Sequence, residues 1–410
     1  MSSTTSASHV TTDVILVGCG APYKSMGSVH FRQLIYEPDL NARTNVVAVV
    51  EPFFMNERNA TEAQLSGFSE FKDRIAETHP EVAFAQSLAD IPPRTHAGDR
   101  PCVLFIACRT LDIPMHIDTL LNNQSKLQVT HVFLEKPGAP TAAELRVVQT
   151  KLESIGAAVC VGYNKCVAQY ADLAVKKARS AKGGRPDVEL IHHNDYTPAD
   201  LPEVFSRCAE GMLKNQTCHE ISLMVSIFGM RAEHVRAPGA VEVLPEGTRL
   251  ECHAGFTDFS SLSFRVAMPE RAADDTTYPD VRSITCSSTR CGGDWSGIDV
   301  HLPGAPKAEE FLWPAPHERD DIQIMLEEEP DMRSILAVAY STYVEYKRRL
   351  FPHVEADFLA RKAGGAPIPF PVGLSSVTEA VEVLEIAETL EPMLKSKALE
   401  MDCASPGVTV

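Results

Sequence analysis

The sequence predicts a doubly wound α/β domain followed by an α+β domain, and three observations carry that reading. Short apolar runs rich in β-branched residues alternate with helical stretches over the first 165 residues. Beyond that point the pattern changes to alternating segments bounded by Gly, Pro and Asp. The chain of 410 residues is also too long for one ordinary core, so two domains are expected.

The first half reads as strands at 13–18 ("DVILVG"), 46–51, 102–107, 131–135 and 157–162, with a weaker one at 82–85. Continuous apolar strands separated by helices indicate a parallel sheet covered on both faces, with ligands at the strands' carboxyl ends. This domain is expected over 13–165. A second domain over 166–400 is expected to open with a helix at 168–181, a strand "DVELIHH" and a long helix across 210–229. Segments 260–268, 282–288 and 297–302 follow as one-sided strands, then helices near 329–350 and 374–397. The pattern predicts a large, mostly antiparallel open sheet with helices on one face. Residues 1–12 lack both an apolar run and arginines, so they read as a disordered tail and not a targeting peptide; 401–410 form a second tail.

The composition, 44% hydrophobic and 23% charged, is that of a soluble globular protein, and a net charge of −17 disfavours nucleic acid or an anionic membrane as partner. No apolar run approaches the roughly 20 residues of a membrane span. Eleven cysteines are scattered, and the closest pair, Cys286 and Cys291, has no second pair at zinc spacing. No metal site, reduced thiols and a cytoplasmic location are expected.

The stretch "VGCGAPYKSMGSVH" (17–30) follows the first strand and opens a helix. Gly18 and Gly20 stand where a dinucleotide fingerprint wants them, but its third position holds Tyr23 and the next glycine is Gly27. The run "PYKS" is then an insertion where backbone N–H groups would face a pyrophosphate. Tyr23, Lys24 and Ser25 either extend that grip or bulge into solvent. Glu51 ends the second strand, where a carboxylate accepts from both ribose hydroxyls and repels a 2′-phosphate, favouring NAD, with NADP possible if Lys24 reaches that phosphate.

At the end of another strand, "FLEKPGAPT" (133–141) places Glu135 and Lys136 at the carboxyl end of the sheet, beside the nicotinamide position. Partial burial would lower the amine's pKa and let Lys136 give or take a proton. Cys108 and Arg109 follow the 102–107 strand and stand at the same end. Within 210–229, Leu213, Thr217, Ile221, Met224 and Phe228 form one stripe, and Asn215, His219, Ser222 and Ser226 form another. His219 can act as general acid or base near neutrality. His192 and His193, adjacent on a strand, are expected to point to opposite faces. The charged run in "VEYKRRLFPH" (344–353) reads as a solvated helix face.

Glu135-Lys136-Pro137 resembles the EKP signature of the Gfo/Idh/MocA (glucose–fructose oxidoreductase, inositol dehydrogenase, rhizopine catabolism) family. "GSVHFRQL" (27–34), "GYNKCVAQY" (162–170) and "CHEISLMVSIFG" (218–229) resemble other segments of that family, so the resemblance spans most of the chain. It makes Gly27 the third glycine and the loop four residues longer. It implies a Rossmann domain binding NAD or NADP, hydride transfer at a CH–OH group of a sugar, cyclitol or related compound, and Lys136 with His219 handling the proton. It also implies homo-oligomers built through the second-domain sheet. Many members carry an aspartate where this chain has Asn215, and an amide orients but cannot act as a base. Tyr163 and Lys165 are substrate-contact candidates, and an acidic substrate follows if Arg109 and Lys165 both reach the cleft. A non-catalytic NAD(P)-sensing regulator and an imine or aldehyde reductase stand as alternatives.

Overall fold

A computed structural model of the chain describes residues 10–404, apart from 23, 57–59, 209, 254, 273–274 and 331. Most of the two expected tails, and Tyr23, lie outside the described residues. The six apolar runs form strands β1 (Thr12–Val17), β2 (Thr44–Val50), β3 (Ala83–Ala85), β4 (Cys102–Ile106), β5 (His131–Leu134) and β6 (Ala158–Val161). They make one parallel sheet in the order β3-β2-β1-β4-β5-β6. The order reverses direction between β1 and β4, which opens a crevice at the carboxyl ends of those strands.

Helices Met26–Tyr36 and Glu62–Thr78 cover one face of this sheet; Ile113–Leu127 and Ala142–Ser154 cover the other. Right-handed crossovers in opposite directions leave part of the first face bare over β4–β6. That gap is filled from far along the chain. Helix Ser334–Lys362 sets Tyr346 against Phe133 and Phe351 against Phe105, with ring centroids 5.6 and 6.2 Å apart. The sequence placed this helix in the second domain with its 344–353 run in solvent. Instead Lys347 is fully buried, because the run lies on the face that closes the first sheet.

The second sheet contains β7 (Asp187–Asp195), β8 (Val241–Val243), β9 (Arg249–His253), β10 (Phe256–Ala267), β11 (Ser283–Thr289), β12 (Cys291–His301) and β13 (Glu309–Trp313). Its order is β13-β12-β7-β11-β10-β8, with β9 on β10, and it is antiparallel except for β7 against β11. Alternate residues Val188 and Leu190, Ile284 and Cys286, and Ile298 and Val300 share a core with Ile221 and Met224 of Cys218–Ser226 and with Leu384 of Val377–Ala404.

The single helix expected over 210–229 is broken into Met212–Asn215 and Cys218–Ser226. At the break the Gln216 side chain leaves for the sheet and donates to the carbonyls of His192 (3.3 Å) and Thr289 (2.9 Å). The expected polar stripe is therefore not continuous. Ser222 and Ser226 turn inward, to Cys166 Sγ (3.3 Å) and Ser375 Oγ (3.2 Å).

Candidate active site

The glycine loop is built as a tight turn. Gly18 (φ +78°) and Gly20 (φ +71°) occupy the left-handed region that favours glycine. A Cβ on Gly27 would stand 1.9 Å from the Gly18 carbonyl oxygen, so only glycine lets the helix approach the loop this closely. Gly27 thus has the geometry of the third glycine. Ser25 caps that helix: its Oγ accepts from Ser28 N (3.3 Å) and donates to Cys19 O (2.6 Å). Its hydroxyl is committed locally, which speaks against the first of the two alternatives, a grip on a pyrophosphate. Lys24 is exposed.

Glu51 is buried and turned onto the loop. One carboxylate oxygen accepts from Gly20 N (2.7 Å), the other from Phe53 N (3.1 Å) and Phe54 N (3.4 Å). Burial pushes its carboxyl above the ordinary value against the pull of those three N–H groups. Two left-handed glycines, a helix packed against them and an acidic residue at the next strand's end fit a dinucleotide, with Glu51 held as an anchor of the turn.

Beyond the carboxyl ends of β5 and β7 lies a cavity of about 300 Å³. Lys136 and Glu135 border it from the first sheet, and His219, Asn215, Lys165 and His192 from the second half. Lys136 Nζ donates to the backbone carbonyl of Asn215. The helix break makes this contact available, since the His219 N–H bonds back to Gln216 O (3.3 Å) instead of Asn215. The Asn215 side chain donates to Glu210 Oε1 at 2.9 Å. His219 sits edge-on to Tyr163 and His192, at 6.3 and 6.0 Å between ring centroids, and its Nδ1 is buried without a partner among the described residues. Burial, then the charges of Lys136, Lys165 and His192, hold its pKa well below the usual histidine value. The imidazole is therefore held neutral.

Behind His219 stands a charged group that sequence reasoning missed. Lys165 Nζ donates to Glu220 Oε1 (2.8 Å) and Ser296 Oγ (2.7 Å), while His192 Nδ1 meets Glu220 Oε2 at 2.8 Å. Burial pushes the Glu220 carboxyl up, but the His192 and Lys165 charges win and carry it below the ordinary carboxylate range. A carboxylate inside the largely apolar "CHEISLMVSIFG" was the available signal, since a buried charge needs a partner. Asp294 was missed too. It borders the cavity at the bulge in β12, accepts from Ser334 Oγ (2.9 Å), and burial raises its carboxyl to about 6.

Three candidates lie apart from the cavity. The Arg109 side chain is 84% exposed and pairs with Asp112 at 2.9 Å on its own turn. Cys108 packs its backbone against Gly18, and Tyr163 is fully buried behind His219. The argument for an acidic substrate from Arg109 with Lys165 therefore fails: one faces solvent, the other is neutralised by Glu220. His192 and His193 both border the cavity, which wraps around the end of β7 instead of facing one side of it. Lys214 reaches away from the cavity and donates to Pro140 O at 2.9 Å.

No family description and no curated relative matches the sequence. Solved structures do match the fold over nearly the whole chain. The chain is similar to a myo-inositol dehydrogenase from Corynebacterium glutamicum, at 15% identity and TM-score 0.56, covering 93% of this chain and 96% of that one. GenD2 from gentamicin A biosynthesis, solved in complex with NAD, aligns at 16% identity and TM-score 0.58, with 96% of each chain covered. The super-repressor mutant of Gal80p from Saccharomyces cerevisiae aligns at 11% identity and TM-score 0.59, covering 95% and 97%. The chain has the two-domain fold of these proteins, in agreement with the resemblance in its sequence. Among the described residues no helix is long and apolar enough to cross a membrane.

Proposed function

We propose that the chain is an NAD(P)-dependent oxidoreductase of the Gfo/Idh/MocA type, acting at a CH–OH group of a sugar, cyclitol or related hydroxy or keto compound. The observation that carries this reading is that Lys136 and a neutral, buried His219 border one cavity at the carboxyl end of the parallel sheet. A nicotinamide bound on the glycine loop would supply the hydride chemistry. Lys136 spends one N–H on Asn215 O and keeps others for the reacting oxygen. His219 takes the hydroxyl proton in oxidation and returns it in reduction. Asn215, tied to Glu210, positions and does not exchange protons. A division at residue 165 puts Lys136 on the cofactor domain and His219 on the substrate domain.

Glu51 at the end of β2 supports NAD over NADP. We further read the protein as a cytoplasmic homo-oligomer joined through the outer face of the second sheet, to be checked by light scattering.

Mixing the protein with NAD and a panel of polyols, sugar acids and aldehydes, and following nicotinamide absorbance, tests the reading. Turnover that disappears in Lys136→Ala while NAD still binds is expected. Tight NAD binding without turnover on any compound would sink it in favour of an NAD(P)-sensing regulator. Asn215, an amide where related dehydrogenases carry an acid, is the feature that favours that rival.

A further inference from the structure

Behind Glu135 and Tyr343, which line the cavity, lies a buried chain of polar groups that the proposed proton transfer does not use. Lys347, on the helix Ser334–Lys362, is fully buried. Its Nζ bonds to His30 Nδ1 (2.7 Å) and Gln33 Oε1 (2.6 Å), both on the helix that opens at the glycine loop. The Gln33 amide is oriented by donating its Nε2 to Tyr340 O at 2.8 Å, so its oxygen must face Lys347. His30 Nε2 meets Glu135 Oε1 at 2.7 Å, and Tyr343 OH donates to Glu135 Oε2 at 3.1 Å. Among the described residues no carboxylate touches Lys347 directly; the titratable groups facing it are His30, Glu135 and Tyr343.

The donor inventory fixes the tautomer. An ammonium can only donate, so His30 Nδ1 accepts and Nε2–H donates to Glu135. A neutral imidazole therefore separates a buried cation from a buried anion. Burial, with the Lys347 charge, lowers His30 to about 4 against the pull of Glu135, which keeps the ring neutral through the working range.

We propose that Lys347 is a positioning residue for the Glu135–Lys136 pair, acting through His30 as a buried proton holder. One proton passes from Lys347 Nζ to His30 Nδ1 while the Nε2 proton passes to Glu135 Oε1. Ammonium, imidazole and carboxylate become amine, the opposite imidazole tautomer and carboxylic acid, with total charge unchanged. Both arrangements satisfy every group in the chain, since the acid then donates to Nε2 and Nδ1–H donates to the amine. Loss of a proton from the chain into the cavity leaves Glu135 charged beside Lys136, whereas its retention can neutralise that carboxylate. Burial supports the role by bringing the Lys347 amine down to about 7, where a proton is held or released near neutrality.

The inference rests on the dehydrogenase reading for its effect on turnover, but its proton chemistry is measurable without turnover. In the full-length protein with labelled histidine, the His30 ring nitrogens are followed by NMR from pH 5.5 to 9.5, assigned by their absence in His30→Gln. The Nε2–H tautomer and an Nδ1 shift that titrates with a midpoint near 7 as the ammonium donor becomes an amine, lost in Lys347→Met, are expected. Ring-nitrogen shifts that do not move across the range overturn the proposal, whether or not any substrate is found. Where turnover is found, kcat for alcohol oxidation should rise about tenfold from pH 6 to 8. Lys347→Met should flatten that rise with KM unchanged; an identical profile in the variant also overturns it. Should Lys347→Met fail to fold, Lys347→Gln takes its place, and the wild-type titration needs neither.

Discussion

Replacing Lys165 by Met leaves the stem's apolar volume in place and removes only the ammonium. Its two hydrogen bonds, 2.8 Å to Glu220 and 2.7 Å to Ser296, are lost together. Each charge-assisted bond is worth about 1.5–3 kcal/mol, but the two share one donor and do not add. The larger effect is on Glu220, whose side chain is 1% exposed and is left with the His192 ring as a hydrogen-bond partner and no cation in place of the lysine. Stranding one member of a buried pair costs about 3–5 kcal/mol, and that is the loss expected at pH 7.5. The pH dependence follows from the carboxyl. In the wild type Glu220 lies below the ordinary carboxylate value, so its contribution is present above that value and fades as pH falls through its folded pKa. Without Lys165, burial pushes the same carboxyl up, and it can take a proton as pH falls toward 5. The gap between variant and wild type should therefore narrow between pH 7.5 and 5. Urea unfolding at the two pH values measures it, and adding Glu220→Gln should recover most of the loss at pH 7.5. A loss below about 1 kcal/mol, the scale of an exposed pair, would refute the reasoning. So would a gap that does not change with pH.

The loop and the buried histidine give further tests. Gly27→Ala drives a Cβ into the Gly18 carbonyl, so the helix must shift off the loop. A stability loss of about 1–3 kcal/mol and a clear weakening of NADH binding by fluorescence titration are expected; unchanged affinity contradicts the loop's role. His219 is held neutral, so the unfolded chain binds a proton near pH 6.5 that the folded state refuses, and stability falls as pH drops below that value. Unfolding free energy should therefore fall less steeply from pH 7.5 to 5.5 in His219→Gln than in the wild type. Glu51→Gln removes a charge near the ribose position while keeping an acceptor for Gly20 N, so NADPH should gain affinity relative to NADH; an unchanged ratio removes Glu51 from cofactor choice.

The strands of the parallel sheet were legible because each is buried on both faces, and a two-sided core writes itself as unbroken apolar runs. The one-sided β8 and β13, "VEV" and "EEFLW", carry too short an alternation to stand out, and β13 lies at a sheet edge. The break at Gln216 was hidden because Leu213, Thr217 and Ile221 keep helical spacing across it, while the cause of the break is a side chain reaching the sheet. Lys136 and His219 stood out through residue type and position. Glu220 and Lys347 did not, because each is defined by partners supplied from another part of the chain. Inside "EYKRRL" the lysine reads as solvated, and only its meeting with His30 and Gln33, more than 300 residues earlier, makes it a buried group.

The late helix that closes the first sheet also orders events during synthesis. When β6 leaves the ribosome, Phe105, Phe133 and Cys160 still face outward, waiting for Tyr346 and Phe351. At ordinary elongation rates the intervening stretch takes on the order of 10–40 s to appear. For that interval the cofactor domain carries an open apolar face, beside which His30 and Glu135 lack the lysine that joins them. The nascent chain thus holds its own binding site unfinished until nearly all of it has been made, and it is during this interval that a chaperone has most to protect.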